Sequence, residues 1–89
     1  QTTTIKVPVQ IKVAEEVDLE WAKEESKKAV EAYFNGLGIG EGYCLGEISK
    51  AIVDMVPVLE VAFPSSFTSV DGVLGYLIRP STITVEEIA

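Results

Sequence analysis

The chain has 89 residues, 47% apolar and 24% charged, which suits a single domain near the lower end of what one hydrophobic core supports. Fourteen acids against seven bases leave a net charge of −7, and the only adjacent basic pair, Lys27-Lys28, sits among Glu24, Glu25 and Glu31, so no nucleic acid and no anionic membrane is expected as a partner. The lack of histidine and the single cysteine, Cys44, remove the commonest general base, an internal disulfide and any cysteine-cluster metal site; no catalytic set, metal or cofactor is expected.

Thr4 to Val13 alternates strictly. Ile5, Val7, Val9, Ile11 and Val13 form one face, and Lys6, Pro8, Gln10 and Lys12 the other, which predicts a strand with one core side and one wet side. Pro8 cannot donate to a ladder and points to an edge or a bulge. Asp18 is the expected N-cap of a helix that runs to Asn35. Its apolar stripe comprises Leu19, Ala22, Ala29, Val30, Tyr33, Phe34 and Leu37, with Ser26 among them, and Glu24 and Lys28 form an i,i+4 pair on the opposite side. Asn35-Gly36 is expected to end the helix in the left-handed conformation.

Gly36, Gly38, Gly40, Gly42 and Gly46 then space a connection to a second helix, from about Gly46 to Val56. That helix should turn Leu45, Ile48, Ile52, Met55 and Val56 inward before Pro57 stops it. The glycine series fits neither a dinucleotide fingerprint nor a P-loop, and Glu41 and Glu47 flank it, so it reads as a tight interhelical connection and not as a phosphate cradle. Leu59 to Phe63 is a second strand, placed antiparallel to the first by the two intervening helices. Pro64 to Gly75 is rich in Ser, Thr, Asp and Gly and reads as an exposed loop. Val73 to Ile78 and Thr82 to Ile88 are further strand candidates, parted by Arg79-Pro80. The whole predicts an α+β domain of order β-α-α-β-β, its two helices on one face of a small, mainly antiparallel sheet.

The residues offer little chemistry. Glu15-Glu16, Glu24-Glu25 and Glu86-Glu87 are sequence neighbours that diverge in space and read as solvated charge. Cys44 has no histidine to activate it and is expected as a small buried hydrophobe. Trp21 projects away from the apolar stripe, where helices normally show charge, and is the first interface candidate. Phe67, in the polar loop, and the strand edges are the others.

The order β-α-α-β, with Ala29-Val30-Glu31-Ala32-Tyr33-Phe34, Leu37-Gly38-Ile39-Gly40-Glu41, Gly46-Glu47-Ile48-Ser49-Lys50-Ala51-Ile52 and Val56-Pro57-Val58-Leu59-Glu60-Val61, resembles the C-terminal domain of the baseplate J-like proteins, wedge components of contractile phage tails. The chain has Pro57-Val58 where that family usually has a Pro-Gly-Val turn, and Gly46 where it often opens the second helix with Ser or Thr. The resemblance implies a virion structural role and no catalytic set. It implies protein–protein contact with other baseplate subunits, oligomeric only within the assembly, in a tail baseplate assembled in the host cytoplasm. It also implies a single domain, residues 1–89, cut from the C-terminal part of a longer protein; Gln1 in place of methionine agrees. A small regulatory or ligand-binding module, with a metabolite beside the glycine connection and Tyr43, is the alternative from another class.

Overall fold

The computed structural model describes residues 2–88. Five elements follow in order: β1 (Thr2–Lys12), α1 (Leu19–Asn35), α2 (Leu45–Met55), β2 (Glu60–Ala62) and β3 (Leu77–Glu87). The α+β class and the packing of both helices on the sheet are as the sequence predicts. The alternation of β1 puts Val7, Val9 and Ile11 in the core and leaves Lys6 and Lys12 in solvent. Against that face lie Ala22, Ala29, Val30 and Phe34 of α1 and Ile48 and Ile52 of α2. Asp18 caps α1, its carboxylate accepting from the Glu20 amide at 3.1 Å.

The sheet is mixed, in the order β2-β1-β3. β2 pairs antiparallel with β1 from Lys12↔Glu60 to Gln10↔Ala62, as expected. β3, however, runs parallel to β1, from Thr2↔Leu77 to Ile11↔Glu87, so the longer pairing departs from the mainly antiparallel sheet expected. The cause is the path of the chain. After β2 it continues through residues 63–76 toward the Thr2 end of β1 before it turns back, and a strand that starts there must follow the direction of β1.

Of the two strand candidates parted by Arg79-Pro80, the first is strand only at Leu77–Ile78, which run on through Arg79–Ser81 into the second as β3, while Val73 to Tyr76 belong to the loop before it. Ile5 opposes Pro80 and Lys6 opposes Thr82, so Ser81 is an extra residue, a bulge. The bulge explains why the sequence reads as two pieces. Ile78 and Ile83 are both buried although five positions apart, a spacing that puts them on opposite faces of a regular strand; the extra residue restores the phase. The Ser81 hydroxyl donates to the Ile5 carbonyl at 3.1 Å and repairs the ladder at the irregularity.

Pro8 finds its tolerance in the same geometry. The Ile11 carbonyl accepts from the Ile88 amide on the β3 side, and the Lys12 carbonyl accepts from the Leu59 amide on the β2 side. Successive residues of a strand point to opposite neighbours, so even-numbered residues of β1 face β2. β2 reaches only Gln10 to Lys12. The missing donor of Pro8 therefore falls on an open stretch of edge, where no ladder bond is lost.

Two local expectations change. Gly36 takes φ −83° and ψ −11°, a right-handed conformation, and not the left-handed one expected. Lys28 pairs with Glu25 at 3.0 Å instead of with Glu24, and the Glu25 carboxylate holds its ammonium above the usual lysine range. Ser26 is fully buried on α1, and its hydroxyl has no hydrogen-bond partner. An orphaned buried hydroxyl costs more than it contributes, and alanine is the better helix former. Ser26→Ala is therefore expected to stabilise the fold by about 0.5–1.5 kcal/mol, read as a higher urea midpoint at unchanged slope; a lower midpoint would refute it.

Candidate functional site

The connection between the helices and the loop before β3 fold onto each other, backbone against backbone. Tyr43 and Val70 exchange reciprocal hydrogen bonds of 2.9 and 3.0 Å as an antiparallel bridge, and the Gly40 amide donates to the Tyr76 carbonyl at 2.7 Å. Gly40 takes φ +86°, a conformation that excludes most side chains. A Cβ on Gly42 would fall 2.5 Å from the Gly72 nitrogen, and one on Gly72 would fall 2.8 Å from the Gly42 nitrogen. Glycine is required here because two main chains touch, not because an anion is cradled.

The two amides that lead into α2 are also committed. Its N-cap, Cys44, makes no side-chain cap hydrogen bond. The Cys44 amide instead donates to the Tyr33 hydroxyl at 3.2 Å, and the Leu45 amide donates to Ser69 Oγ at 3.0 Å. Side chains distant in sequence thus take the place of a capping side chain at Cys44. Tyr33 in turn donates to Glu47 Oε1 at 2.8 Å, and the Glu41 carboxylate accepts from the Gly38 amide. Donors that a phosphate would use are thus taken up by side chains of the chain itself, and the Glu47 carboxylate stands in the first turn.

What the junction presents to solvent is apolar. Ile39, Val70, Val73, Leu74 and Tyr76 are exposed from the two joined loops, Leu74 at 94%. Thr3, Val70, Asp71, Val73, Tyr76 and Ile78 line a groove of about 300 Å³ along this crest. The neighbouring aromatic rings anchor it from beneath: Phe34 lies 5.5 Å from Tyr43, Tyr43 stacks on Phe67 at 5.4 Å, and Phe67 meets Phe63 at 5.8 Å.

Of the sequence candidates, Trp21 is 46% exposed on α1, with Val13 and Val17 packed against the core. Phe67 is 9% exposed and belongs to the aromatic stack, so it is not a surface contact; its apolar ring outweighs the polar loop around it. Cys44 is exposed and free, against the burial expected. Met55 is exposed as well, since α2 closes on the core through Ile48, Ile52 and Val56. Both long strand edges are blunted, one by Pro8 and the other by Pro80 and the Ser81 bulge, which weakens them as docking edges. The crest was not legible, because Ile39 stands 31 positions before Val70 and the cluster carries no periodicity.

A second, polar groove of about 380 Å³ runs between Lys27, Glu31 and Asn35 of α1 and Arg79 to Ile83 of β3. Its guanidinium is already engaged. Arg79 Nη1 donates to the Phe34 and Ile78 carbonyls at 2.7 and 2.8 Å, and Nη2 donates to the Leu37 carbonyl at 3.1 Å. It caps α1 at the negative end of its dipole and replaces the left-handed glycine cap expected at Gly36.

Burial pushes the Tyr33 and Tyr43 phenols above their ordinary value of 10.0, and for Tyr33 the Glu47 carboxylate adds to it. A phenol whose folded pKa is raised holds its proton longer in the folded state. Its contribution to stability is complete below the unfolded value and is lost as pH rises past it. Unfolding midpoints should therefore fall above about pH 10, and a Tyr33→Phe/Tyr43→Phe double variant should show a flatter alkaline limb; an equally steep limb would remove the assignment.

Among the described residues no group of three or more His, Cys, Asp or Glu could hold a metal ion, and no helix is long and apolar enough to cross a membrane. No protein-family model, curated protein or solved structure matches the chain.

Proposed function

We propose that the chain is a structural domain of a contractile-tail baseplate, part of a wedge subunit of a phage or phage-like particle, and that it works by protein–protein contact without catalysis. The observation that carries the contact reading is the apolar crest: five exposed apolar residues gathered from two loops and held by main-chain hydrogen bonds. Contiguous exposed apolar surface on a small domain marks an interaction site. The polar side chains nearby serve as struts: Tyr33, Glu41, Glu47, Ser69 and Arg79 each bond the backbone or one another. The baseplate assignment rests on the likeness of the helix and glycine segments to the J-like family. Its partners are other baseplate subunits, its place is the virion tail, and the assembly forms in the host cytoplasm. The ligand-module alternative needs Tyr43 beside an open metabolite site, whereas its ring is buried in the aromatic stack.

The test is co-sedimentation. The full-length protein that carries this chain is expressed with its genomic neighbours, tail particles are pelleted, and their composition is read by mass spectrometry. The proposal expects the protein in the particle fraction at fixed stoichiometry with sheath and tube. A protein found only in the supernatant while particles form without it overturns the reading.

A further inference from the structure

We infer that the crest receives a protein segment presenting one bulky apolar side chain flanked by Lys or Arg, and not a second copy of this chain. The inference rests on the protein-contact reading above and names the partner's chemistry. Three observations lead to it. The first is size: a groove of about 300 Å³ sits at the bottom of the range for small-molecule pockets and suits a single side chain better than a whole metabolite.

The second is charge. From Ala29 to Ile78, the stretch that contains both loops of the crest, Lys50 is the only basic residue, against Glu31, Glu41, Glu47, Asp54, Glu60 and Asp71. Six acids against one base leave this stretch at −5 of the chain's net −7, and Asp71 lines the groove itself. A surface of one sign steers partners of the other and repels its own kind. A second copy would bring another acidic crest, and an anionic bilayer would be repelled in the same way.

The third is rigidity. The loops are tied by the Tyr43–Val70 bridge and the Gly40 to Tyr76 hydrogen bond, so little ordering is left to be done on binding. Leu74 stands almost wholly in solvent at the tip of a surface that is otherwise fixed. An exposed leucine on a fixed platform, next in the same loop to a groove lined by Asp71, is a contact residue for an apolar, basic-flanked counterpart.

The experiment is an amide chemical-shift titration of this chain with two synthetic heptapeptides. Both contain Leu-Trp-Leu; one is flanked by two lysines on each side, the other by two glutamates. The basic peptide is expected to shift the amides of Ile39, Gly40, Val73, Leu74 and Tyr76, with an affinity that falls as salt is added. The acidic peptide should leave them unmoved. Leu74→Ser, exposed enough to leave the fold intact, should weaken the basic peptide about tenfold, and Asp71→Lys should abolish the preference for it. Equal binding of both peptides, shifts centred on Trp21, or no shifts at the crest would each overturn the assignment. The two failures are separable. If the full-length protein carrying Leu74→Ser still enters particles normally, the crest assignment fails and the contact reading stands; if the unaltered protein never enters them, the baseplate reading fails whatever the peptides do.

Discussion

Gly72→Ala is expected to lower stability by about 2–4 kcal/mol and to open the crest. The added methyl would press into the Gly40 carbonyl and lie 2.8 Å from both the Gly40 carbon and the Gly42 nitrogen, all main-chain atoms that no rotamer change can move aside. Relief requires the two loops to separate, and separation breaks the reciprocal Tyr43–Val70 bonds. The loss is large for a domain of this size, whose whole stability is on the order of 4–13 kcal/mol. It should appear as a fall in melting temperature of roughly 10 °C or more, with faster amide exchange at Tyr43 and Val70. Gly36→Ala is the control. Gly36 has φ −83°, and the nearest atom to an added Cβ is the Tyr33 carbonyl oxygen at 3.4 Å, so alanine fits and should be neutral or stabilising by up to about 1 kcal/mol. If Gly72→Ala melts with the parent chain, the close approach of the two loops is wrong.

That contrast between two glycines shows how far the sequence could be read. Local patterns were legible: the alternation of β1, the stripe of α1, the Asp18 cap and the order of elements all follow from spacing along the chain. What depends on distant segments was not. Gly36 looks like a helix terminator because it follows Asn35 at the end of a stripe. It is the C-cap in a right-handed conformation, and the carbonyls beside it are bonded by Arg79, more than forty residues away. The parallel course of β3 depends on where the Phe63 to Tyr76 segment lies, and nothing in its composition says so. Met55 is expected on the α2 stripe, but the helix closes on the core through Ile48, Ile52 and Val56 and leaves it in solvent. Phe67 looked exposed because serine, threonine and aspartate surround it, and burial is decided by the ring and its partners Tyr43 and Phe63. The bulge at Ser81 hid β3 by breaking its period, which is what an inserted residue does to any period-two signal.

Arg79→Met tests the longest-range of these links. Methionine keeps much of the apolar stem but removes every donor, so the Phe34 and Leu37 carbonyls lose the guanidinium that satisfies them at the end of α1. Bonds from a charged donor contribute more than neutral ones, and part of the helix dipole goes uncompensated; the expected cost is about 2–4 kcal/mol. Arg79→Lys should recover only part of it, because one ammonium cannot reproduce the fork that reaches both carbonyls. The readout is a denaturation midpoint together with amide exchange at Gly36 and Leu37, which should accelerate more than at Ala22 near the start of the helix or Ser26 at its middle. A uniform change along α1 would mean that Arg79 acts only on the β3 side. The consequence reaches the crest, since the Phe34 ring beside that helix end meets Tyr43, and Tyr43 forms the bridge to Val70. Arg79→Met and Gly72→Ala should therefore combine with less than additive cost, the second finding the contacts already loosened by the first. Strict additivity would separate the helix cap from the crest and leave the main-chain bonds between the loops as its sole support.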